Sequence, residues 1–166
     1  AEACRSEPGG RGAYTMCFHG LGHGILAYAS YDLPKTIELC KKIGTAVYQN
    51  REYIECVGGA IMETISGGGH DPELWQAQSK KYFRADDPLY PCSSGFMPDE
   101  SRQICYTYLT PHLFRAAGGD YGHPTPETFE SAFKFCGKIP AGDEKNLKAC
   151  FGGFGKEFIV LAKARD

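Results

Sequence analysis

The sequence lacks an excess of either charge. Its 18 lysine and arginine residues are balanced by 20 aspartate and glutamate residues, which gives a net charge of -2. The two signs are mixed along the chain, so there is no basic stripe for nucleic acid and no polybasic segment for a membrane surface. Long apolar runs are also missing, and the stretch 158–162 is far too short to cross a bilayer. We therefore expect no nucleic-acid partner and no membrane span.

Several motifs that would assign a chemistry are absent as well. The chain contains no Gly-x-Ser-x-Gly elbow, no phosphate-binding loop, no dinucleotide-binding fingerprint and no calcium loop. No two cysteines are separated by only two to four residues, which disfavours a zinc site built from thiolates. The sequence identifies no catalytic residue.

Cysteine is the residue type that the sequence has in unusual number. Its eight cysteines fall into four pairs at similar spacing, and each pair begins one copy of a repeated pattern. An even number at regular spacing is typical of a disulfide framework in an oxidising compartment. Repetition predicts pairing within each copy, and each bridge closes a short loop worth about 3 kcal/mol in the chain-entropy estimate. The predicted disulfides are Cys4–Cys17, Cys40–Cys56, Cys92–Cys105 and Cys136–Cys150.

Helix boundaries are marked clearly around these cysteines. Asp32 and Thr125 each precede a proline as N-terminal caps, and Gly44 and Gly137 follow the cysteines that close the same helices. Second helices are predicted over about 50–65 and 143–164, and a helix capped by Asp99 is predicted to run to about 117. Alternating apolar and polar residues are almost absent, so little or no β-sheet is expected.

These elements predict an all-α fold of four irregular, disulfide-stapled helical hairpins, arranged as an α/α repeat or as a compact helical bundle. The repeat units are expected at about 1–31, 32–71, 86–118 and 124–166 within a single domain. In outline this arrangement resembles the disulfide-bridged α/α repeat proteins related to Sel1 and tetratricopeptide repeats. The resemblance concerns architecture alone and implies no binding or catalytic residue.

The first copy differs from the others by a pair of histidines, His19 and His23. Four residues apart on a helix, they lie on one face and could reach one metal ion. Gly20 occupies the place where zinc peptidases carry their glutamate, so that chemistry is not favoured. A third ligand would come from another copy, with His112 and Glu63 as the main candidates and Glu157, His70 and His123 as others. Imidazole and carboxylate ligands suit copper, iron or zinc.

Two alternatives to the metal site remain open at this stage. The histidines could be buried and bonded to main-chain carbonyls or carboxylates, or they could serve as metal-free acid–base or substrate-binding groups. The nearby glycines have two interpretations as well. Gly20 and Gly22 could let a cofactor approach the backbone, or they could allow close contact between helices, as the glycines at matching places in other copies suggest.

The sequence thus predicts a secreted or periplasmic protein with a transition-metal site on His19 and His23. The predicted function is that of a metal carrier or of a metal-dependent enzyme, preferably an oxidoreductase. The alternative is an extracellular module without catalytic activity that binds a protein, peptide or glycan. In either case the expected partner is a small molecule or a protein.

Overall fold

The structure, a computed structural model, describes residues 1–6, 8–67 and 69–163. In these ranges the chain forms eight α-helices and no strand, so the predicted all-α class is confirmed. The chain divides into two compact units, Ala1–Tyr82 and Phe83–Asp166, here called unit 1 and unit 2. No helix in the described ranges has the length and apolar character needed to cross a membrane.

Unit 1 contains five of the helices. They are α1 (Glu2–Arg5), α2 (Gly10–Tyr28), α3 (Leu33–Lys41), α4 (Arg51–Ser66) and α5 (Pro72–Ser79), with short 3-10 turns at Ala46–Tyr48 and Lys80–Tyr82. Asp32 caps α3 by accepting a hydrogen bond from the Lys35 backbone N–H at 3.0 Å. Asp71 caps α5 in the same way through Leu74, although the sequence analysis assigned no helix there.

Unit 2 contains α6 (Asp99–Ala116), α7 (Pro126–Cys136) and α8 (Glu144–Lys163). Thr125 caps α7, as expected. The predicted end of the last helix, Ala164, lies outside the described residues. Around Cys92, over residues 88–97, the third copy forms turns instead of a helix, because prolines at 88, 91 and 98 interrupt the chain. Arg102 holds these turns by donating hydrogen bonds to the carbonyl oxygens of Cys92 and Met97.

The four predicted disulfides are all present, and no cysteine is free. Each joins residues whose Cα atoms are 5.4 to 5.7 Å apart, within the usual range for an unforced bridge. Two lie in unit 1 and two in unit 2. Four disulfides are typical of an oxidising or extracellular environment.

The core of each unit is a close contact between two helices, each of which contains the second cysteine of one of the unit's disulfides. In unit 1 α2 packs on α4, and in unit 2 α6 packs on α8. A Cβ atom added to Gly59 would lie 1.9 Å from the His19 carbonyl oxygen, and one added to Gly153 would lie 2.5 Å from the Thr107 carbonyl oxygen. Both glycines come three residues after a cysteine, and both carbonyls two residues after one. The two units therefore share one packing plan.

Candidate functional site

The predicted histidine pair lies in the contact between α2 and α4. The two rings are 5.2 Å apart between centroids, and only 4% of His19 is exposed. His23 Nδ1 lies 2.9 Å from an oxygen of the Glu63 carboxylate, and His19 Nδ1 lies 3.8 Å from the Glu55 carboxylate. Each imidazole thus faces a buried carboxylate of α4, and His23 is within hydrogen-bond distance of one.

Glu63 is also part of the packing at the end of α4. The Trp75 indole of α5 donates hydrogen bonds to the backbone carbonyl oxygens of Glu63 and Thr64. Burial, followed by the nearby Glu63 charge, raises the pKa of the Tyr31 hydroxyl. The carboxylate therefore lies among a histidine, a tyrosine and the start of a loop.

Unit 2 repeats this arrangement without a histidine. Glu157, which like Glu63 follows its cysteine by seven residues, accepts hydrogen bonds from Thr110 Oγ1 at 3.0 Å and from the Tyr121 hydroxyl at 2.8 Å. Burial and the Glu157 charge raise the pKa of Tyr121. In both units, then, a buried glutamate of α4 or α8 meets a side chain of the helix packed on it, α2 or α6. It also meets a tyrosine from the loop that follows α2 or α6.

His112 lies on α6 in unit 2, whereas the other three predicted metal ligands lie in unit 1. Its ring stacks on Phe83 with centroids 4.8 Å apart. Burial, helped by the positive charge of Arg115, lowers the pKa of His112 to about 4, so its imidazole is neutral at physiological pH. The remaining loop histidines, His70 and His123, are exposed. In the described part of the chain no three His, Cys, Asp or Glu side chains are placed to hold one metal ion.

The two predicted cofactor-contact glycines have different surroundings. Gly22 is buried, and a Cβ added to it would lie 2.0 Å from the Cys56 carbonyl oxygen, so this glycine allows the approach of α2 to α4. Gly20 is exposed, and a Cβ there would meet no atom within 4 Å. Helix packing accounts for Gly22, and Gly20 lies on an open surface.

A cavity of about 690 Å³ opens on another side of unit 1. It lies between α1, the first turns of α2 and α4, and the 3-10 turn before α4. This size falls within the range of small-molecule sites in proteins. We call it the arginine cavity. The side chains that line it include Arg5, Arg11, Arg51, Tyr14, Val47 and Tyr48.

The three arginines differ in how far their charges are balanced. Arg5 lies 3.9 Å from the buried Glu52 carboxylate and donates a hydrogen bond to the Ile43 carbonyl oxygen. Arg51 forms an ion pair with Glu55, the same carboxylate that faces His19. Among the described residues no carboxylate lies within ion-pair distance of Arg11. Arg11 is therefore the cavity arginine without an ion-pair partner among the described residues.

Next to the cavity lining lies a further charged group, Glu52, which is buried near Tyr14. Burial works to raise the pKa of Glu52, but hydrogen bonds from Thr45 and from its own backbone N–H outweigh burial, so the pKa is lowered and the carboxylate stays ionised. Burial first, and then the Glu52 charge, raise the pKa of Tyr14 to about 12. Tyr14 therefore stays neutral and packs against Tyr48 in a tilted arrangement, with ring centroids 4.9 Å apart.

Comparisons of the chain with protein-family models, with curated proteins and with solved structures each found no match. The resemblance to Sel1-type repeats therefore rests on the helical hairpins alone.

The arginine cavity was not predicted, because its residues are dispersed in the sequence and none belongs to a motif. One signal could have indicated it: Arg11 and Arg51 stand where α2 and α4 begin, and a cation is electrostatically unfavourable in the first turn of a helix. Local costs of this kind are more common at functional positions than elsewhere.

Proposed function

We propose that the protein is a secreted or periplasmic binding protein, without catalytic activity, that holds a small ligand in the arginine cavity. The observation that carries the proposal is the cavity itself, since three arginines and two tyrosines line one space of ligand size. Such a set is able to orient a ligand, whereas a nucleophile or general base is not part of it.

The frame of the cavity supports this proposal because it is held in place covalently. Cys4–Cys17 ties α1 to α2, and Cys40–Cys56 ties the end of α3 to α4. Within the loop that Cys40–Cys56 closes, Gln49 and Asn50 both adopt left-handed backbone angles, with φ of 53° and 59°. Two adjacent non-glycine residues in this region cost free energy, and such strain is concentrated at binding and active sites.

The test is ligand-induced stabilisation of protein produced in an oxidising host. Thermal unfolding is measured with a set of small organic anions, cations and neutral compounds, and a ligand present at 100 times its Kd should add about 2.7 kcal/mol to the free energy of unfolding. Thr15 lines the cavity, so Thr15→Phe should abolish this gain. Thr107→Phe is the matched control, because both threonine hydroxyls donate to the backbone carbonyl four residues earlier. Equal gains in both variants would contradict the proposal.

A second candidate function is metal binding at His19 and His23, in a carrier or a metal-dependent oxidoreductase. The specific observation in its favour is that two imidazoles and the carboxylates of Glu55 and Glu63 lie within one helix contact. Imidazole and carboxylate together suit zinc, copper or iron.

Metal content by mass spectrometry tests this second candidate. The parent, His19→Ala with His23→Ala, and His70→Ala with His123→Ala are each supplied with zinc, copper and iron. A stoichiometric metal that the first double variant loses and the second retains would support the metal site. A parent that retains no metal after supplementation would rule it out.

A further inference from the structure

We infer that the ligand of the arginine cavity is a small organic anion with a flat aromatic portion, an assignment that rests on the binding function proposed above. An acidic head group would lie against Arg11 and Arg51, and an aromatic ring against Tyr48 and Val47.

The positions of two arginines carry the first step. Arg11 is the second residue of α2 and Arg51 is the first residue of α4, so both cations stand at the positive ends of helix dipoles. Each position costs folding free energy, and an anion placed between the guanidinium groups would relieve both costs at once. The guanidinium group also matches carboxylate, sulfate and phosphate oxygens in a bidentate manner.

The backbone at the same helix ends adds donors for an anion. The residues before the two helices, Gly9 and Asn50, make no side-chain hydrogen bond to the first turn, whereas α3 and α5 of the same unit are capped by aspartates. Uncapped first-turn N–H groups lack helical partners and favour anions. The carboxylate of Glu52, in the first turn of α4, accepts hydrogen bonds from Thr45 and from the Glu52 backbone N–H, so this N–H is not one of the donors for the anion. Glu52 does not line the cavity.

The apolar wall identifies the other portion of the ligand. Val47 and Tyr48 are 82% and 47% exposed, although both are large apolar side chains at the cavity edge. An aromatic ring covering them would remove apolar area from water and stack on Tyr48 beside Tyr14. A bare inorganic anion would leave this wall uncovered, which is why the inferred ligand is an aromatic acid.

Two fluorescent probes of nearly the same shape test the inference: anilinonaphthalene sulfonate, which is anionic, and phenylnaphthylamine, which lacks the sulfonate. The anionic probe should bind, and Arg11→Gln should weaken it about ten-fold or more, in line with loss of a charge-assisted hydrogen bond. The neutral probe should not respond to Arg11→Gln. Arg115→Gln makes the same charge change at an arginine of unit 2 that does not line the cavity, and it should leave both affinities unchanged.

Unit 2 has an apolar groove lined by Phe129, Phe133 and Phe158 that could also take the probes, so all measurements are repeated in a Phe158→Ser background. If Thr15→Phe abolishes binding of both probes but Arg11→Gln changes neither, the cavity binds ligands and the anionic class is wrong. If Thr15→Phe affects neither probe, the inference and the proposed binding function are both overturned. Naphthalene carboxylate, sulfate and phosphate as competitors then identify the preferred head group.

The stability of Arg11→Gln distinguishes a role of Arg11 in ligand recognition from a role in supporting the fold. Because Arg11 makes no ion pair among the described residues and opposes the helix dipole, the variant should unfold at the same or a higher urea concentration than the parent. A loss of stability together with loss of probe binding would show that Arg11 supports the fold, and would overturn its role in ligand recognition.

Discussion

At the residue scale, the close contact of α2 with α4 depends on glycines, which have only a hydrogen atom where other residues carry a side chain. The sequence shows glycines near both histidines and in the matching places of other copies, but it does not separate the glycines that are in contact from those that are exposed. Gly59 and Gly22 face backbone atoms, whereas Gly20 faces open space. The difference depends on helix rotation, which the spacing of residues alone leaves undetermined.

Replacing Gly59 and Gly20 separately with alanine should therefore have opposite effects. The new Cβ of Gly59→Ala would lie 1.9 Å from the His19 carbonyl oxygen, so the helices must separate, and we expect a loss of about 2 kcal/mol or more in the free energy of unfolding. Gly20→Ala meets nothing within 4 Å and should add up to about 1 kcal/mol through helix propensity. Urea denaturation measures both, and a destabilised Gly20→Ala would indicate that this surface is occupied.

His112 gives a prediction for pH dependence. Its pKa is lowered to about 4 by burial, so between its unfolded value of about 6.5 and pH 4 the unfolded chain binds a proton that the folded chain does not. Stability should consequently decrease as the pH falls through this window, by about 1 to 2 kcal/mol after allowance for partial exposure.

NMR spectroscopy measures this directly through the imidazole carbon-bound protons of His112. We expect the His112 signal to stay at its neutral position down to about pH 5. A His112→Phe variant, which keeps a ring against Phe83, should lose part of the acid dependence of unfolding. Titration of His112 near its unfolded value of about 6.5 would contradict the buried position.

At the scale of elements, the boundaries that rest on local chemistry were predicted and those that rest on tertiary contacts were not. Asp32, Thr125 and the four disulfides follow from capping preferences and repetition, and they are present. The turns around Cys92 are held by Arg102, ten residues farther along the chain than this cysteine, which no local pattern indicates. The arginine cavity is the same kind of case, since it forms only when α1, α2 and the turn before α4 come together.

Helix α5 permits a sharp test at this scale because it contains Trp75, the only tryptophan in the chain. Asp71→Ala removes the cap of α5 and should destabilise that helix by about 1 kcal/mol. The Trp75 indole would then lose its hydrogen bonds to the end of α4, and its emission should shift to longer wavelength. Thr125→Ala removes the corresponding cap of α7 in unit 2 and should leave the emission unchanged. Identical spectra for parent and Asp71→Ala would contradict this account of α5.

At the scale of the whole molecule, the chain contains the same construction twice. Each unit has two disulfides, a contact made by a glycine three residues after a cysteine, and a buried glutamate seven residues after that cysteine that meets a tyrosine. The sequence predicts four copies of the hairpin in a single domain. The contacts group these copies in pairs, because the second helices of neighbouring hairpins bury each other.

This grouping predicts that the chain can be divided at one place and not at another. Residues 1–82 and 83–166, produced separately in an oxidising host, should each form their two native disulfides, since no disulfide joins the two units. Each should also be cooperatively folded, because each retains its own core helix pair. A division after residue 49 is the control: it separates α2 from α4 and exposes the apolar face of both. Disulfide mapping and circular dichroism of the four fragments measure the outcome. If 1–82 and 83–166 oxidise to mixed pairings while the intact chain does not, the two units depend on each other to fold, and the single-domain prediction is the better description.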